Sequence, residues 1–410
     1  MNWRGQFSVK SFCDSKSGNI AIVAALSLTG LIGAAGLGTE TGYWFYKQRL
    51  LQGAADVVAY NATVALRGGS TNAQIITAAS TDATTNGWTS ATGTIHVNTP
   101  PTSGTHQNAN SVEVLLTETE QRYLTAIFSD TPISISVRAV GNFSSTGTAC
   151  VLALSKTASQ AVKIWGNNAT TFVGCNVMSN SMANDSVAVG GSSQLTTPCV
   201  LAVGGISVSS TLNLTSCKAA TAHSFPATDP YASLPAPDTS GPCKNVSNGN
   251  SPMNPGVYCN GLSLNSTKTF NPGVYVISGG SLTLNSNANV SGSGVTFYLT
   301  NGATIKFNGN AHMNFSAPTS GTYSGMLFYG NRNDPDGSPS FNGDATSQLT
   351  GATYFPSQSV TMNGNFSGAN GCMQVIANTI SLSGSSTISG SCPGTGMSSV
   401  SIPGSVSLVE

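Results

Sequence analysis

Leu262-Ser263-Leu264-Asn265-Ser266 and Leu282-Thr283-Leu284-Asn285-Ser286 repeat one short phrase, and the spacing of that phrase decides how the chain is read. The rule is apolar–x–apolar, then Asn or Ser, then usually a small residue. It recurs at Ser186-Val187-Ala188-Val189-Gly190, Ile206-Ser207-Val208-Ser209-Ser210, Ile305-Lys306-Phe307-Asn308-Gly309, Val360-Thr361-Met362-Asn363-Gly364 and Ile380-Ser381-Leu382-Ser383-Gly384. Alternation of period two predicts strands with one buried face. The steps from 262 to 282, 282 to 305 and 360 to 380 each match about one turn of a parallel β-solenoid. In such a coil the neighbours above and below complete each strand's hydrogen bonds, and Asn-Gly and Ser-Gly pairs make the bends. An antiparallel β-sandwich or jelly roll is the alternative architecture; repeats of nearly one length favour the solenoid.

Two stretches interrupt the ladder. Residues 217–258 are rich in proline (Pro226, Pro230, Pro235, Pro237, Pro242, Pro252, Pro255) and are expected to wrap the solenoid. Residues 317–358 read as an inserted longer loop containing Asn331 to Gly337.

The nine cysteines divide unevenly: Cys13 precedes an apolar segment, and Cys150, Cys175, Cys199, Cys217, Cys243, Cys259, Cys372 and Cys392 follow it. An even set with no CxxC spacing reads as four disulfides in an oxidising compartment. Eight cysteines allow 105 connectivities, of which near-neighbour pairing (Cys150–Cys175, Cys199–Cys217, Cys243–Cys259, Cys372–Cys392) is expected. No His or second Cys stands at zinc-ligand spacing.

Only 7% of the 410 residues are charged and the balance is zero. That excludes an electrostatic footprint for nucleic acid and leaves few groups for acid–base chemistry. From Cys150 onward the acids are Asp185, Asp229, Asp238, Asp334, Asp336, Asp344 and Glu410, and no two fall one coil apart so as to stack in a groove. Asn331-Arg332-Asn333-Asp334-Pro335-Asp336-Gly337 is the one acidic cluster. Its ending resembles a calcium loop, but Pro335 interrupts it and no Glu follows at the required position. His96, His106, His223 and His312 are scattered, and no nucleophile-elbow, zinc-protease or phosphate-loop motif occurs. No catalytic residue, metal or cofactor is expected.

Between 70 and 145 the pattern predicts a small mixed α/β element. A helix over Asn72–Trp88 would bury Ile75, Ile76 and Ala79. Strands follow over Thr94–Asn98, around Val112, Val114 and Leu116, and around Ile133, Ile135, Val137 and Ala139. A second helix is expected over Gln121–Phe128, stopped near Pro132.

No charge occurs from Gly18 to Thr39. An apolar run from Asn19 to Leu37 has the length that crosses a hydrocarbon layer of about 30 Å as a helix. It runs into an amphipathic stretch with Tyr46, Leu50, Ala54, Val57, Asn61 and Val64 at helical spacing, closed by Gly68-Gly69. One helix from about Asn19 to Leu66 would be on the order of 70 Å long, with half of it standing beyond the bilayer as a stalk. Arg4, Lys10 and Lys16 against Asp14 put the amino terminus on the cytoplasmic side. A cleaved signal peptide is the rival, disfavoured because the run is longer than a usual signal core. Gly30, Ala34, Gly38 and Gly42 form a small-residue ridge of the kind that packs helices in lipid. Glu40 is expected at headgroup level, and Tyr43 to Tyr46 in an aromatic belt.

Gly18-Asn19-Ile20-Ala21-Ile22-Val23-Ala24-Ala25-Leu26, Gly33-Ala34-Ala35-Gly36-Leu37, Tyr43 to Leu51 and Gln52-Gly53-Ala54-Ala55-Asp56-Val57-Val58-Ala59 follow in an order that resembles the amino-terminal module of TadG-like proteins of bacterial tight-adherence (Flp pilus) assembly systems. Val57 and Val58 depart from the small residues usual there, and Glu40-Thr41-Gly42-Tyr43 from a D-Y/x-G sequence. The resemblance implies a pilus-associated inner-membrane protein. The expected organisation is a cytoplasmic tail (1–18), a transmembrane helix and stalk (19–66), a small α/β element (67–147) and a disulfide-stapled solenoid (148–410). The expected role is non-enzymatic, in pilus assembly or adhesion. Expected partners are the membrane, other pilus-assembly proteins, and polysaccharide or peptidoglycan. A surface adhesin and a β-helix carbohydrate-active enzyme, with Asp334 or Asp336 acting, are the alternatives.

Overall fold

The computed structural model describes residues 19–246, 249, 251–342, 347–363, 367–390 and 392–410. The expected cytoplasmic tail and Asp344 lie outside the described residues. Of the described residues 42% are strand and 17% helix. It divides into two compact units, Met1–Phe143 with Val406–Glu410, and Ser144–Ser405. The expected stalk and α/β element are therefore parts of one unit, which also takes the carboxyl-terminal residues.

In the first unit, α1 (Asn19–Arg67) is one unbroken helix, ended where Gly69 turns left-handed at φ +83°. After it α2 (Asn72–Thr85) opens on a capping box, Thr71 and Gln74 each bonding the other's backbone. Strands β1 (Gly93–Asn98), β2 (Ser111–Glu120) and β3 (Ile133–Ala153) form an antiparallel meander with Ile95 opposite Leu116 and Leu116 opposite Val137. Val112, Val114, Leu116, Val137 and Ala139 turn one face of it toward the helices.

Of the expected apolar stripe only Ala54 is buried, and the buried face is turned away from the rest of it. Leu51, Ala54, Ala55, Val58, Ala59 and Ala62 are buried, whereas Leu50, Val57, Tyr46 and Asn61 are exposed. Small side chains win because the helix lies close to the sheet: at Gly141 a Cβ would stand 2.2 Å from Thr63 Oγ1. In α2 Ile75, Ala79 and Ala83 are buried, while Ile76, expected inside, is exposed. The helix expected over Gln121–Phe128 is only the single 3₁₀ turn Thr125–Ile127; its apolar residues lie outside any protein core, so no packing sustains a longer helix.

The second unit is a parallel β-solenoid of about ten turns. Each coil has three sides. Gly256–Cys259, Leu262–Leu264 and Thr267–Phe270 make one coil, and each pairs in parallel with its counterpart in the next: Val257 with Val276, Leu262 with Leu282, Lys268 with Val290. The repeated phrases lie on top of one another on the second side, where Leu282 meets Ile305, Val360 meets Ile380, and Val187 meets Ile206. The corner before that side is made by Asn260-Gly261, Gly279-Gly280 and Asn301-Gly302, with both residues left-handed in every case. Only Asn and Gly adopt such a pair readily.

Aromatic rings fill the middle of the stack. Phe297 meets Phe270 at 5.5 Å, Phe315 at 5.2 Å and Phe328 at 5.4 Å between centroids. Toward the coils of Val151, Val177 and Val200 the interior is aliphatic apart from Phe172.

Coil order along the solenoid differs from order along the chain. The coil at Ser367–Leu382 pairs in parallel with the earliest one: Val375 with Val151, Ile380 with Val162, and Ile388 with Phe172. The early coils then continue through Asn176–Ser179 to Val200–Ala202. Residues 217–255 therefore carry the chain back from one end of the stack to the other. They wrap the solenoid by running along one side of it, with a disulfide at each end. Thr221 bridges to Leu201 at one end, and Cys243 to Val257 at the other.

This strap explains a further correction. The stretch 317–358 is no inserted loop, since Met326–Gly330, Ser340–Phe341 and Gln348–Met362 are strands of the ladder. Met326-Leu327-Phe328-Tyr329 lacks alternation because both its faces are covered. Leu327 and Phe328 join the interior, while Met326 and Tyr329 join an outer cluster with Ala227, Tyr231, Val400 and Ile402.

Candidate functional site

A glycoside-cleaving site would be built from a pair of carboxylates. Asp185 accepts Ser159 Oγ at 2.7 Å, and Asp229 accepts Tyr354 Oη at 2.8 Å and the Tyr231 N–H at 2.9 Å. Asp238 accepts the Ser240 N–H, and Asp334 accepts the Gly302 N–H. Each holds a hydroxyl or a backbone amide and none faces another carboxylate. Gln358 donates to the carbonyls of Asp334 and Asp336, which fixes the 331–337 turn from its backbone. Among the described residues no three His, Cys, Asp or Glu side chains group so as to hold a metal ion. A pocket of about 310 Å³ between Cys150 and Cys392 is lined by Met373, Gln374, Met397 and hydroxyl groups, with no carboxylate or imidazole.

The cysteines form Cys150–Cys175, Cys199–Cys217, Cys243–Cys259 and Cys372–Cys392, the near-neighbour pairs. Two of them have a legible mechanical place. Cys199–Cys217 fastens the strap where it leaves the stack, and Cys243–Cys259 fastens it where it rejoins.

Between these staples the strap is held by a polar cluster that no sequence pattern announces. Asn180 makes a reciprocal pair with the Ala227 backbone at 2.8 and 2.9 Å. Arg332 donates to the carbonyls of Tyr231 and Leu234 and to the hydroxyls of Tyr329 and Tyr354. Its guanidinium also lies 5.4 Å from the Tyr354 ring and 5.6 Å from the Tyr329 ring. Burial pushes the Tyr231 hydroxyl up to about 12, and burial beside Asp229 raises that of Tyr354. Both phenols stay neutral donors across any physiological pH.

In the first unit the unexpected centre is Glu113, fully buried on the sheet face away from the helices. It accepts from Asn98 Nδ2, Thr102 N and Oγ1, Ser103 Oγ and, at 2.7 Å, Arg138 Nε. Desolvation alone would raise its pKa, but the bonds from Thr102, Arg138 and Asn98 outweigh that and bring it down to about 2. Arg138 also pairs with Glu410, whose carboxyl is likewise lowered to about 2 by Arg138 and Thr105.

The candidate for function is α1. It is long and apolar enough to cross a membrane, and its most apolar window is wholly exposed. Ile22, Val23, Leu26, Leu28, Leu31 and Ile32 are each more than half exposed. Gly30, Ala34, Gly38 and Gly42 are exposed too, and a Cβ at Gly30, Gly38 or Gly42 would meet nothing. At about 100° per residue this ridge lies across the helix from Gly36 and Glu40. Glu40 is buried, and both its carboxylate oxygens accept backbone N–H groups, from Tyr123 and Thr125. Within the expected aromatic belt Tyr43, Phe45 and Tyr46 are exposed, while Trp44 lies partly covered under Arg122.

No family model, curated protein or solved structure matches the chain.

Proposed function

We propose that this protein is a non-enzymatic, single-pass component of a bacterial tight-adherence (Flp pilus) system, set in the inner membrane with its amino terminus cytoplasmic and its solenoid periplasmic. The observation that carries the reading is α1 itself. It is a 49-residue helix whose uncharged first half is bare and whose second half is built into a folded unit. Such a helix can anchor a body to a bilayer. The four disulfides support an oxidising compartment for that body, and the TadG-like order of motifs over α1 supports the pilus system. Engagement of Asp185, Asp229, Asp238 and Asp334 by neutral donors supports a binding or structural role, because glycoside hydrolysis needs two carboxylates converging on one bond. The neutral faces of the coils, rich in hydroxyls and amides, suit polysaccharide or peptidoglycan.

Deleting the coding sequence in the native host and counting surface pili tests the role. Loss of pili, restored by the full chain and not by a chain lacking residues 19–39, is the expected result. Unchanged pili overturn the assignment. Intact mass of the purified protein separates the rival reading, since a secreted adhesin would begin after about residue 38.

A further inference from the structure

The loop between β2 and β3 runs back along α1 toward its apolar end, and the contacts record each step. Glu120 pairs with Lys47 at 2.8 Å. The Arg122 guanidinium lies 5.4 Å from the Trp44 ring. The N–H groups of Tyr123 and Thr125 bond Glu40. Leu124 reaches Gly36, where a Cβ would stand 3.6 Å from its side chain. From Lys47 to Gly36 the helix descends about 16 Å at 1.5 Å per residue.

The tip of this loop is apolar and bare. Tyr123 is 72% exposed, Leu124 55%, Ile127 84% and Phe128 75%. Four large apolar residues exposed together in a charge-poor protein call for an occupant. Three facts identify it as lipid. The patch is level with Gly36–Glu40, where the uncharged segment from Gly18 ends at Thr39. Leu124 lies against that segment at Gly36, next to the exposed Leu37. Arg122, Lys47 and Trp44 stand just above it on the side away from the apolar run, where cationic and amphipathic side chains meet headgroups.

We propose that the Tyr123–Phe128 tip is a second membrane contact, a wedge inserted into the interface of the leaflet from which α1 emerges and clamped to α1 by Glu40. The inference rests on α1 spanning the bilayer. Together the helix and the wedge make two points of attachment on one unit, which fixes its tilt and rotation against the membrane surface as a single span would not. Gly36 lets the wedge lie against the helix. Glu40 satisfies two amides that would otherwise enter the interface unpaired, where lost hydrogen bonds are expensive.

The full oxidised chain, carrying Cys13→Ser and one added cysteine, is labelled with an environment-sensitive fluorophore and reconstituted into phosphatidylcholine vesicles. Label sites are Ile127→Cys and Phe128→Cys in the wedge, Ile32→Cys in the span, and Ala78→Cys on α2 as the aqueous reference. Lipids carry a nitroxide either near the headgroup or deep in the acyl chain. The proposal expects blue-shifted emission at 127 and 128 that loses most of its intensity to the shallow nitroxide, consistent with a depth of about 5–10 Å. It also expects strong quenching at 32 and none at 78. Quenching at 32 with water-like emission and iodide quenching at 127 and 128 overturns the wedge and leaves the anchor standing. Absence of lipid quenching at 32 as well overturns both.

Discussion

The carboxylate of Glu40 accepts the backbone N–H of Tyr123 at 2.6 Å, across 83 positions of sequence. One acidic side chain thereby ties the end of the apolar helix segment to a distant loop. Replacing Glu40 with Ala leaves the Tyr123 and Thr125 amides without an acceptor. Hydrogen exchange at those two amides should accelerate by about tenfold or more. Fractionation with membranes should not change. Undisturbed protection at both amides would show that Glu40 does not hold the loop.

Glu113→Gln should destabilise the first unit by about 2–4 kcal/mol at neutral pH, because Arg138 and Thr102 lose a buried carboxylate partner. The pH dependence has a definite sign. The folded carboxyl titrates at about 2, below its ordinary 4.5, so its contribution is complete above 4.5 and fades as pH falls toward 2. Urea melts of the two proteins should diverge most above pH 4.5 and converge toward pH 2. A gap that stays constant across that range contradicts the ionised Glu113.

These two carboxylates also show where the sequence was legible and where it was not. Phrases such as Leu282-Thr283-Leu284 stood out because one side of their strands is wet, so alternation survives. Met326-Leu327-Phe328-Tyr329 is covered on both faces and lost that signature. The coil order was hidden for a different reason. Val162, Val187, Ile206, Leu262 and Leu282 are interchangeable as inward-facing residues, and what orders them is the strap, through contacts such as Arg332 with Leu234. On α1, Ala54, Ala55, Ala59 and Ala62 carry little hydrophobic signal, yet close approach to the sheet selects them over Leu50 and Val57. Glu113 looked like a wet strand position beside Val112 and Val114; only the Asn98–Ser103 segment folding over it reveals otherwise.

Arg332→Ala removes donors to two strap carbonyls and two tyrosine hydroxyls. The coils should remain folded while the strap loosens. Limited proteolysis is expected to cut within residues 234–242 several-fold faster than in the parent, with a stability loss of about 2–3 kcal/mol. Unchanged cleavage there would mean that the disulfides alone hold the strap.

The strap staples are expected to act separately. Cys199→Ser with Cys217→Ser opens a loop of 18 residues and should lower stability by about 3 kcal/mol. Cys243→Ser with Cys259→Ser, closing 16 residues, should give a similar loss. Because the two sit at opposite ends of the stack, their effects should add in a four-cysteine variant. Strong non-additivity in chemical denaturation would contradict a strap anchored independently at its two ends.

The most direct test of a membrane-anchored protein with an exported, oxidised body is thiol labelling in intact bacteria with a membrane-impermeant maleimide. The account predicts an uncleaved chain in the inner-membrane fraction. Cys13 should be labelled only after the cells are permeabilised, and Cys150 through Cys392 only after reduction. A body whose cysteines react without reduction, and only once the inner membrane is opened, would contradict it.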